Sequence, residues 1–246
     1  MDYFTADLHL GHASIMKHSR RTEFMTEADR ASLQAAISDP QAYKAWKPSA
    51  ESVARMARGL LARLNERVSA TDRLWIIGDF ASPRKATASA MRGYRDAIRC
   101  RDVRLVWGNH DPRHLCDGLF TATYEAVRLI ISARRTLVEA DAFRTHAQRS
   151  LKDRLIAGKR ARVVFLSHYA HVVWHHSDRG VYHLYGHSHG NLEAWRDEHM
   201  PAALALDVGV DCWGYEPLSF AQVDRLLSEK QKRVPPHTVD HAGRIG

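Results

Sequence analysis

Residues 103–111 read VRLVWGNHD, an apolar run that leads directly into the polar tetrad Gly108-Asn109-His110-Asp111. A run of four or five β-branched, aromatic and leucine residues that ends at Gly or Asp is typical of a buried strand. The tetrad therefore follows the carboxyl end of a predicted strand, which is where ligands bind in open α/β sheets. An Asx-type turn would account for Asn109 by itself, but not for the whole tetrad.

Four other apolar runs end in polar clusters in the same way. They cover residues 3–6, 74–77, 163–166 and 182–185. Five polar clusters at five strand ends predict an α/β fold in which these clusters share one site. The residues that close the four runs are Asp7, Gly78-Asp79, Ser167-His168 and Gly186-His187-Ser188-His189.

Helical segments are predicted between the strands. Residues 52–68 place apolar side chains at helical spacing, with Arg and Glu between them. Residues 84–99, 219–230 and 26–38 are three further predicted helices, and residues 144–158 are predicted to be weakly helical.

The remaining segments predict loops, a strand pair and the domain limits. Residues 40–48 begin and end with proline and are predicted to form a surface loop. Residues 128–139 are predicted to be a strand pair that turns near residues 133–134. No linker-like stretch interrupts the middle of the chain, so we predict one domain over residues 1–231. Residues 232–246 are predicted to be a mobile C-terminal tail with little to pack.

The composition of the chain limits the classes of protein to which it can belong. The chain has 246 residues, 45% of them hydrophobic, which suits one domain with a sizeable core. Its start lacks the pattern of a signal peptide, and no apolar stretch approaches the roughly 20 residues that cross a membrane. The three cysteines are scattered, which indicates reduced thiols. We therefore expect a cytoplasmic protein with no membrane partner.

The formal net charge of the chain is +8. Such an excess attracts phosphate-bearing partners, and nucleic acid is the obvious candidate. The alternative is an ordinary solvated surface, because the arginines are spread along the predicted helices. Charge alone does not choose between these interpretations.

Several strand-end residues are of the types that bind metal ions. Asp7 and His9 flank one residue, and on an extended backbone both side chains point to the same side and can reach one ion. His187 and His189 have the same spacing, and imidazole suits transition ions. Asp79 could cap a helix, but a carboxylate with two oxygens is also what bridges two cations roughly 4 Å apart.

Other residues near these strand ends are candidates for catalysis and substrate binding. Asn109 offers a neutral carbonyl oxygen to a metal, and His110 can give a proton to a leaving oxygen. Asp111 is predicted to orient and charge that imidazole. His12 and Arg21 are predicted to contact phosphate, Arg21 because a guanidinium binds phosphate bidentately.

A further set of side chains could line the mouth of the site, although an ordinary surface or core position is the alternative for each. Tyr or Trp in such a place can stack on a base. Three of the histidines also lie close enough in sequence to compete with His168 as a ligand. The set is Arg20, Tyr169, His171, Trp174, His175 and His176.

Taken together, the five clusters occur in the order Asp-x-His, Gly-Asp, Gly-Asn-His-Asp, Ser-His and Gly-His-x-His. This order resembles the signature of the calcineurin-like metallophosphoesterase superfamily, over about residues 3–227. Small bacterial and phage-type members begin with Ser/Thr-Asp-x-His-x-Gly-His, as residues 5–12 nearly do. Residues 207–211, followed by Tyr215, Pro217 and Ser219, are also similar to the ending of that subgroup.

The resemblance implies an α/β fold built as a four-layer α-β-β-α sandwich of two mixed sheets, with metals at the strand ends. It implies a first metal held by Asp7, His9 and His189, and a second held by three further residues. Asp79 would bridge both metals, and His110 would be the catalytic imidazole. The residues implied for the second metal are Asn109, His168 and His187.

The implied activity is a dinuclear metal-dependent phosphoesterase that hydrolyses phosphomonoesters or phosphodiesters. A hydroxide held between the metals would attack phosphorus in line, on a small, nucleotide-like phosphate ester by preference. The implied ions are Mn²⁺, Fe, Zn²⁺ or Ni²⁺, with Mn²⁺ favoured. A nuclease that acts on DNA or RNA with the same chemistry is one alternative. A non-catalytic metal-binding scaffold is an alternative of another class.

The sequence departs from the fuller family pattern in two places. After Asp79 the chain continues with Phe80-Ala81-Ser82-Pro83, without the His-Gly or Asp-Arg-Gly of many members. Asp111 is the candidate to replace the acidic or His partner that is missing there. Residues 34–50 look like extra sequence relative to compact members, either an inert loop or part of a substrate rim.

Overall fold

The computed structural model describes residues 1–82, 87–132, 136–138 and 161–233. Within these ranges the chain forms a mixed α/β fold with two five-stranded sheets. The predicted weak helix over residues 144–158 and all but the start of the predicted tail lie outside the described residues.

The first sheet contains the three N-terminal apolar runs. Its strand order is β10-β1-β2-β3-β4, with β1 to β4 parallel and β10 antiparallel to β1. Three loops therefore leave the same edge of this sheet. The strands are β1 (Asp2–Thr5), β2 (Arg73–Ile77), β3 (Asp102–Val106), β4 (Ala122–Tyr124) and β10 (Leu218–Ser219).

The second sheet contains the two later runs. Its order is β6-β5-β7-β8-β9, with β7, β8 and β9 parallel and β5 antiparallel to both β6 and β7. Pairing of β5 with β6 confirms the strand pair predicted over residues 128–139, whose turn lies outside the described residues. The strands are β5 (Ala126–Ser132), β6 (Thr136–Val138), β7 (Ala161–Ser167), β8 (Tyr182–Tyr185) and β9 (Ala205–Asp207).

The four predicted helices are present, with ends that differ by a few residues. The longest begins after Ser49, whose side chain accepts a hydrogen bond from the backbone N–H of Ser52 and so caps the first turn. The last helix extends to Arg233, two residues past the predicted domain limit. The helices are α1 (Ile15–His18), α2 (Glu27–Ala36), α3 (Pro40–Ala45), α4 (Ala50–Arg67), α5 (Ala88–Asp96), α6 (Glu193–His199) and α7 (Phe220–Arg233).

The surface loop predicted for residues 40–48 is wrong, because α3 occupies most of it. Asp39 accepts a hydrogen bond from the backbone N–H of Gln41, and Pro40 is the first helical residue. Proline is favoured at that position, since its ring fixes a helical φ and its missing N–H would have no partner there. Here proline starts a helix and does not break one.

The core follows the alternation of side chains along the strands. Leu74 and Ile76 of β2 pack in one hydrophobic cluster with Leu60 of α4. Trp75 and Ile77 point to the other face, into a cluster that contains strand residues of both sheets. The two sheets therefore share a buried interface, and helices cover the opposite face of the first sheet.

Among the helices of the described ranges, none is both long enough and apolar enough to cross a membrane. Cys100, Cys116 and Cys212 all lie in those ranges and are unpaired. Cys100 and Cys116 are buried, where they contribute to the hydrophobic core.

Candidate metal centre

Six of the seven predicted metal ligands lie in two groups at the strand ends. Asp7, His9 and His189 offer ligand atoms that lie within 4.8 Å of one another. Asp79, His168 and His187 form the second group, by the same measure. Each group combines residues that follow strands of both sheets, because the carboxyl ends of β1, β2, β7 and β8 meet at this edge.

One carboxylate oxygen lies between the two groups. Asp79 Oδ2 is 3.3 Å from His9 Nε2 and 3.5 Å from His168 Nε2. The other oxygen, Oδ1, accepts a hydrogen bond of 2.8 Å from the backbone N–H of His110. Asp79 is therefore oriented so that a single oxygen faces an imidazole of each group.

The seventh predicted ligand, Asn109, joins the second group. Its Oδ1 lies 3.1 Å from His168 Nε2. Two of the three histidines that could have replaced His168 point elsewhere, since His171 contacts Ser167 Oγ and His175 contacts Arg128. The structure therefore brings together all seven predicted residues.

Two of the imidazoles are oriented by contacts of their Nδ1 atoms. His168 Nδ1 lies 2.9 Å from the carbonyl oxygen of Ile77, so Nδ1–H donates there and Nε2 faces the site. His189 Nδ1 is 2.6 Å from Asp211 Oδ2. His9 Nε2 is buried and makes no hydrogen bond within the described residues. A buried nitrogen that makes no hydrogen bond, among carboxylate and imidazole ligands, fits a cation site.

The surroundings of these groups raise the pKa of some and lower the pKa of others. Burial raises the pKa of Asp7 to about 7 and lowers the pKa of His9 to about 2. Burial alone would raise the pKa of Asp79, but its hydrogen bond and charge interaction with His168 lower it to about 2. The same pairing outweighs burial at His168 and raises its pKa to about 8. Cation binding at Asp7 and His168 would therefore release protons.

Comparison with known proteins identifies no family for the chain. No protein-family model matches it, and no curated protein matches it. A crystal structure of an Aquifex aeolicus protein of unknown function is similar at 17% sequence identity, with a TM-score of 0.49. The match covers 92% of this chain and 98% of that one.

The backbone at the ligands is left-handed, which corrects the expectation of an extended chain at Asp7 and His9. Their φ angles are +57° and +49°. The φ angles of Asp79, His187 and His189 are +56°, +67° and +48°. A non-glycine residue rarely adopts this region, and each costs of order 1 kcal/mol or more. Five ligands in this conformation indicate that local strain positions the site.

This strain predicts that glycine at position 187 destabilises the protein less than alanine does, the reverse of the usual order. The side chain of His187 is exposed. We expect His187→Gly to be more stable than His187→Ala by about 1 kcal/mol in metal-free protein, because glycine tolerates a positive φ. Urea unfolding would measure the difference. The same pair of substitutions at His114, an exposed residue without a positive φ, should have the opposite sign. Equal stability of the two His187 variants would contradict the strain.

Two glycines let the loops of the site approach one another. A Cβ atom at Gly78 would lie 2.1 Å from His168 Nδ1, and one at Gly108 would lie 2.3 Å from Asp79 Oδ1. No larger residue fits at either position without displacing a ligand. The glycines of the Gly-Asp and Gly-Asn-His-Asp clusters are therefore required by packing around the ligands.

The predicted contact of Arg21 with substrate is wrong, because Arg21 is 0% exposed. Its Nε and Nη2 donate to the two carboxylate oxygens of Asp211, each at 2.8 Å. Its guanidinium also donates to the carbonyl oxygens of Asp7 and Leu8, at 2.7 and 3.0 Å. Because Asp211 in turn contacts His189, Arg21 positions this residue of the first ligand group through Asp211.

We expect Arg21→Gln to destabilise metal-free protein by about 3–5 kcal/mol, because the buried Asp211 carboxylate loses its guanidinium partner and keeps only its contact with His189. It should also weaken metal binding at the first group. Urea unfolding and metal titration would measure both effects. Arg20→Gln is the matched control, since Arg20 is exposed and the change should stay within about 0.5 kcal/mol. A rise in KM alone, at unchanged stability, would instead support the original prediction.

Asp111 does not orient the His110 imidazole as predicted. Its carboxylate accepts hydrogen bonds from the backbone N–H groups of Asp79, Phe80 and Gly108, at 3.0, 2.8 and 2.8 Å. No hydrogen bond joins it to the His110 side chain within the described residues. Asp111 instead ties the loop after β2 to the loop after β3, and so is a positioning residue.

His12 and His110 lie together beside the first group. Their ring centroids are 5.2 Å apart, and each lies 5.1–5.2 Å from the ring of His9. His110 is exposed, and His12 is half-buried, with burial lowering its pKa. Both residues are therefore in reach of a ligand that approaches from solvent, as a catalytic imidazole and a phosphate contact would need to be.

Of the two aromatic residues predicted near the mouth, only one is in place to meet a ligand. The Tyr169 ring is 49% exposed, and its centroid lies 4.7 Å from that of His187. Trp174 is buried, and its indole N–H donates to the carbonyl oxygen of Val181. Trp174 is therefore a core residue.

Sequence reasoning assigned no role to two aspartates that support the ligands. Asp211 orients His189, as described above. Asp207 is 1% exposed and accepts hydrogen bonds from Ser188 Oγ at 2.6 Å and from Gly190 N at 3.0 Å. It also accepts from Gly209 N at 2.7 Å. The sequence carries one sign of this role: Asp207 and Asp211 lie four residues apart, directly after a short apolar run.

Proposed function

We propose that this protein is a dinuclear metal-dependent phosphoesterase of the calcineurin-like metallophosphoesterase type. One observation carries the proposal: a single oxygen of Asp79 faces His9 of the first ligand group and His168 of the second. Two cations that share a carboxylate are an arrangement suited to in-line displacement at phosphorus. The same oxygen in a structural metal site would face one ligand group only.

The ligand types are those that bind divalent transition ions. Asp7, His9 and His189 would hold one ion, and Asp79 would serve both. Asn109, His168 and His187 would complete the other set. Imidazole nitrogen and carboxylate or amide oxygen suit Mn²⁺, Fe, Zn²⁺ or Ni²⁺, and Mn²⁺ is the first to test. When bound, such ions supply Lewis acidity toward a phosphoryl oxygen and lower the pKa of water.

The chain's own residues provide acid–base chemistry and orientation. His110 faces solvent beside the first group, and its backbone N–H is fixed by Asp79 Oδ1. Its imidazole would donate a proton to the leaving oxygen of a phosphate ester. His12, on the same side, would donate a hydrogen bond to a phosphoryl oxygen. Asp111 and Arg21 hold the loops that place these groups.

We also propose that the two sheets are the inner layers of a four-layer α-β-β-α sandwich. Val106 and Val164, from different sheets, belong to one hydrophobic cluster. Met56 of α4 packs on the other face of the first sheet. On the outer face of the second sheet, Leu192, which precedes α6, packs against the cluster that contains Tyr185.

A nucleotide-like substrate is favoured by the half-exposed ring of Tyr169 beside His187. We expect Tyr169→Ala to raise KM for a nucleotide about tenfold with little change in kcat, because stacking on an aromatic residue contributes about 1–3 kcal/mol per base. Steady-state kinetics would measure this, with Tyr169→Phe as the control that keeps the ring. An equal rise in KM for glycerol phosphate, which has no ring, would count against stacking.

The proposal is tested by metal analysis combined with a hydrolysis panel. The Mn²⁺-loaded protein would be assayed on p-nitrophenyl phosphate, bis-p-nitrophenyl phosphate, cyclic nucleotides and single-stranded DNA. The net charge of +8 favours a nuclease as the second candidate, and preference for DNA over every small ester would select it. Absence of bound metal, with no turnover on any substrate, would overturn both and support a non-catalytic scaffold.

A further inference from the structure

A cavity of about 610 Å³ lies between α1, α2 and α3, outside the ligand groups. Residues 34–50, which look like extra sequence relative to compact members of the family the chain resembles, supply part of its wall through Ile37 and Tyr43. Its volume falls in the range of small-molecule binding sites, about 300–1,000 Å³. The extra segment therefore shapes a cavity of ligand size.

The charged side chains that line this cavity are cationic. Lys17, Arg20 and Arg30 line it, and no acidic side chain of the described residues does. Lys17 is engaged, because its Nζ donates to the carbonyl oxygens of Tyr43 and Lys44 at the end of α3. Within the described part of the chain, the guanidinium groups of Arg20 and Arg30 have neither an ion pair nor a hydrogen bond. Two arginines are therefore free to bind an anion.

The rest of the lining is apolar. Arg30 and Leu33 of α2, and Ile37 directly after its last residue, are spaced three and four residues apart, so they lie on the same side of the helix. Ile37 is 56% exposed, so its side chain is open to contact by a ligand. Tyr43 adds an aromatic ring from α3. This combination fits an anionic group that is attached to an apolar or aromatic one.

The cavity lies close to the metal centre along the chain. Arg20 directly follows Ser19, whose hydroxyl oxygen is 3.2 Å from His189 Nδ1. Consecutive Cα atoms are about 3.8 Å apart, so the cationic rim begins one residue from a neighbour of the first ligand group.

We propose that this cavity binds the distal phosphate of a nucleotide substrate together with the base or ribose attached to it. The scissile phosphate would then lie at the metal centre, so this inference rests on the proposed function. It narrows the substrate class to nucleotides with at least two phosphates, such as a 5′-phosphorylated dinucleotide. Arg20 and Arg30 bind the distal phosphate, and Leu33, Ile37 and Tyr43 contact the ring.

The first experiment measures binding without catalysis. ADP binding to metal-free protein in EDTA would be followed by calorimetry for the wild type and for the double variant Arg20→Gln, Arg30→Gln. We expect on the order of 30-fold weaker binding, because two charge-assisted contacts are lost. The control is Arg92→Gln, Arg99→Gln, which removes the same charge at two exposed positions on and after α5 and should change Kd less than twofold.

Three results would overturn the proposal at this stage. The wild type could fail to bind ADP, or the control could lose as much affinity as the cavity variant, which would indicate a general charge effect. Inorganic phosphate or hexyl phosphate could bind as tightly as ADP, which would exclude recognition of the nucleotide ring. Because no metal is present, none of these results depends on whether the protein is a phosphoesterase.

The second experiment tests whether the cavity binds the distal phosphate of the substrate or is an anion site unrelated to catalysis. KM would be compared for the thymidine dinucleotide TpT and for its 5′-phosphorylated form, pTpT. The cavity variant should raise KM for pTpT about tenfold or more and leave KM for TpT within twofold. Equal effects on both would overturn the distal assignment. If neither the wild type nor any variant hydrolysed TpT, pTpT or bis-p-nitrophenyl phosphate, the proposed phosphoesterase function itself would be wrong.

Discussion

Replacing Asp79 by alanine is expected to weaken the binding of both metal ions together. One oxygen of this carboxylate faces an imidazole of each ligand group, so its removal would affect both sets. Under the proposed function each ion would lose a charged ligand, and several kcal/mol of stabilisation of charge on the transferring phosphoryl group would be lost. We expect kcat/KM to fall by about 10³-fold or more. Metal content by elemental analysis and kinetics with Mn²⁺ would measure the two effects.

The matched control for Asp79 is Asp2→Asn. Asp2 is also a buried aspartate, but it lies at the opposite end of the first sheet, where it accepts a hydrogen bond from Trp75 Nε1. Its substitution should lower stability and leave both metals bound. If Asp79→Ala retained two metals at wild-type affinity, the bridging role would be excluded. Loss of one metal only would assign Asp79 to a single group.

Replacing His110 by glutamine is expected to leave both metals bound and to lower kcat. The ring lies beside His9 and His12, yet it belongs to neither ligand group. A proton donor to the leaving oxygen typically contributes about 10²- to 10⁴-fold, so the loss should fall in that range. The loss should be largest for an alkoxide leaving group and smallest for p-nitrophenolate, which needs little protonation.

His114→Gln is the control for His110, because His114 is an exposed histidine only four residues away. It should have wild-type kinetics on every ester. A His110→Gln variant with the same deficit on good and poor leaving groups would argue for stabilisation of phosphoryl charge instead of proton donation. An unchanged rate on the poor leaving group would remove His110 from catalysis.

The strands, and the meeting of the candidate ligands at their ends, could be predicted from the sequence for one physical reason. Short runs such as Leu74 to Ile77 are buried on both faces, so they are continuous in apolar residues and end abruptly where the chain reaches the site. The polar residue types at those ends, and their order, then narrow the chemistry. Residue type and position relative to a strand are both readable from sequence.

The burial of a side chain and the group that it contacts could not be predicted in this way. Arg21 has the chemistry of a phosphate ligand, and only the fold reveals that its guanidinium is enclosed and paired with Asp211. Asp111 follows His110 in sequence, yet its carboxylate turns toward the backbone of another loop. The prolines at positions 40 and 48 predict a surface loop, because the local sequence does not distinguish a proline in a helix interior from one in the first turn.

The ligand groups also join parts of the chain that are synthesised far apart in time. The backbone N–H of His187 donates to Asp7 across 180 residues of sequence. A chain that emerges from the ribosome N-terminus first holds Asp7, His9 and Asp79 early, but it completes neither group until His187 and His189 have followed. Partial chains therefore lack a full set of the candidate ligands, and the proposed metal centre would be completed only when both sheets can form.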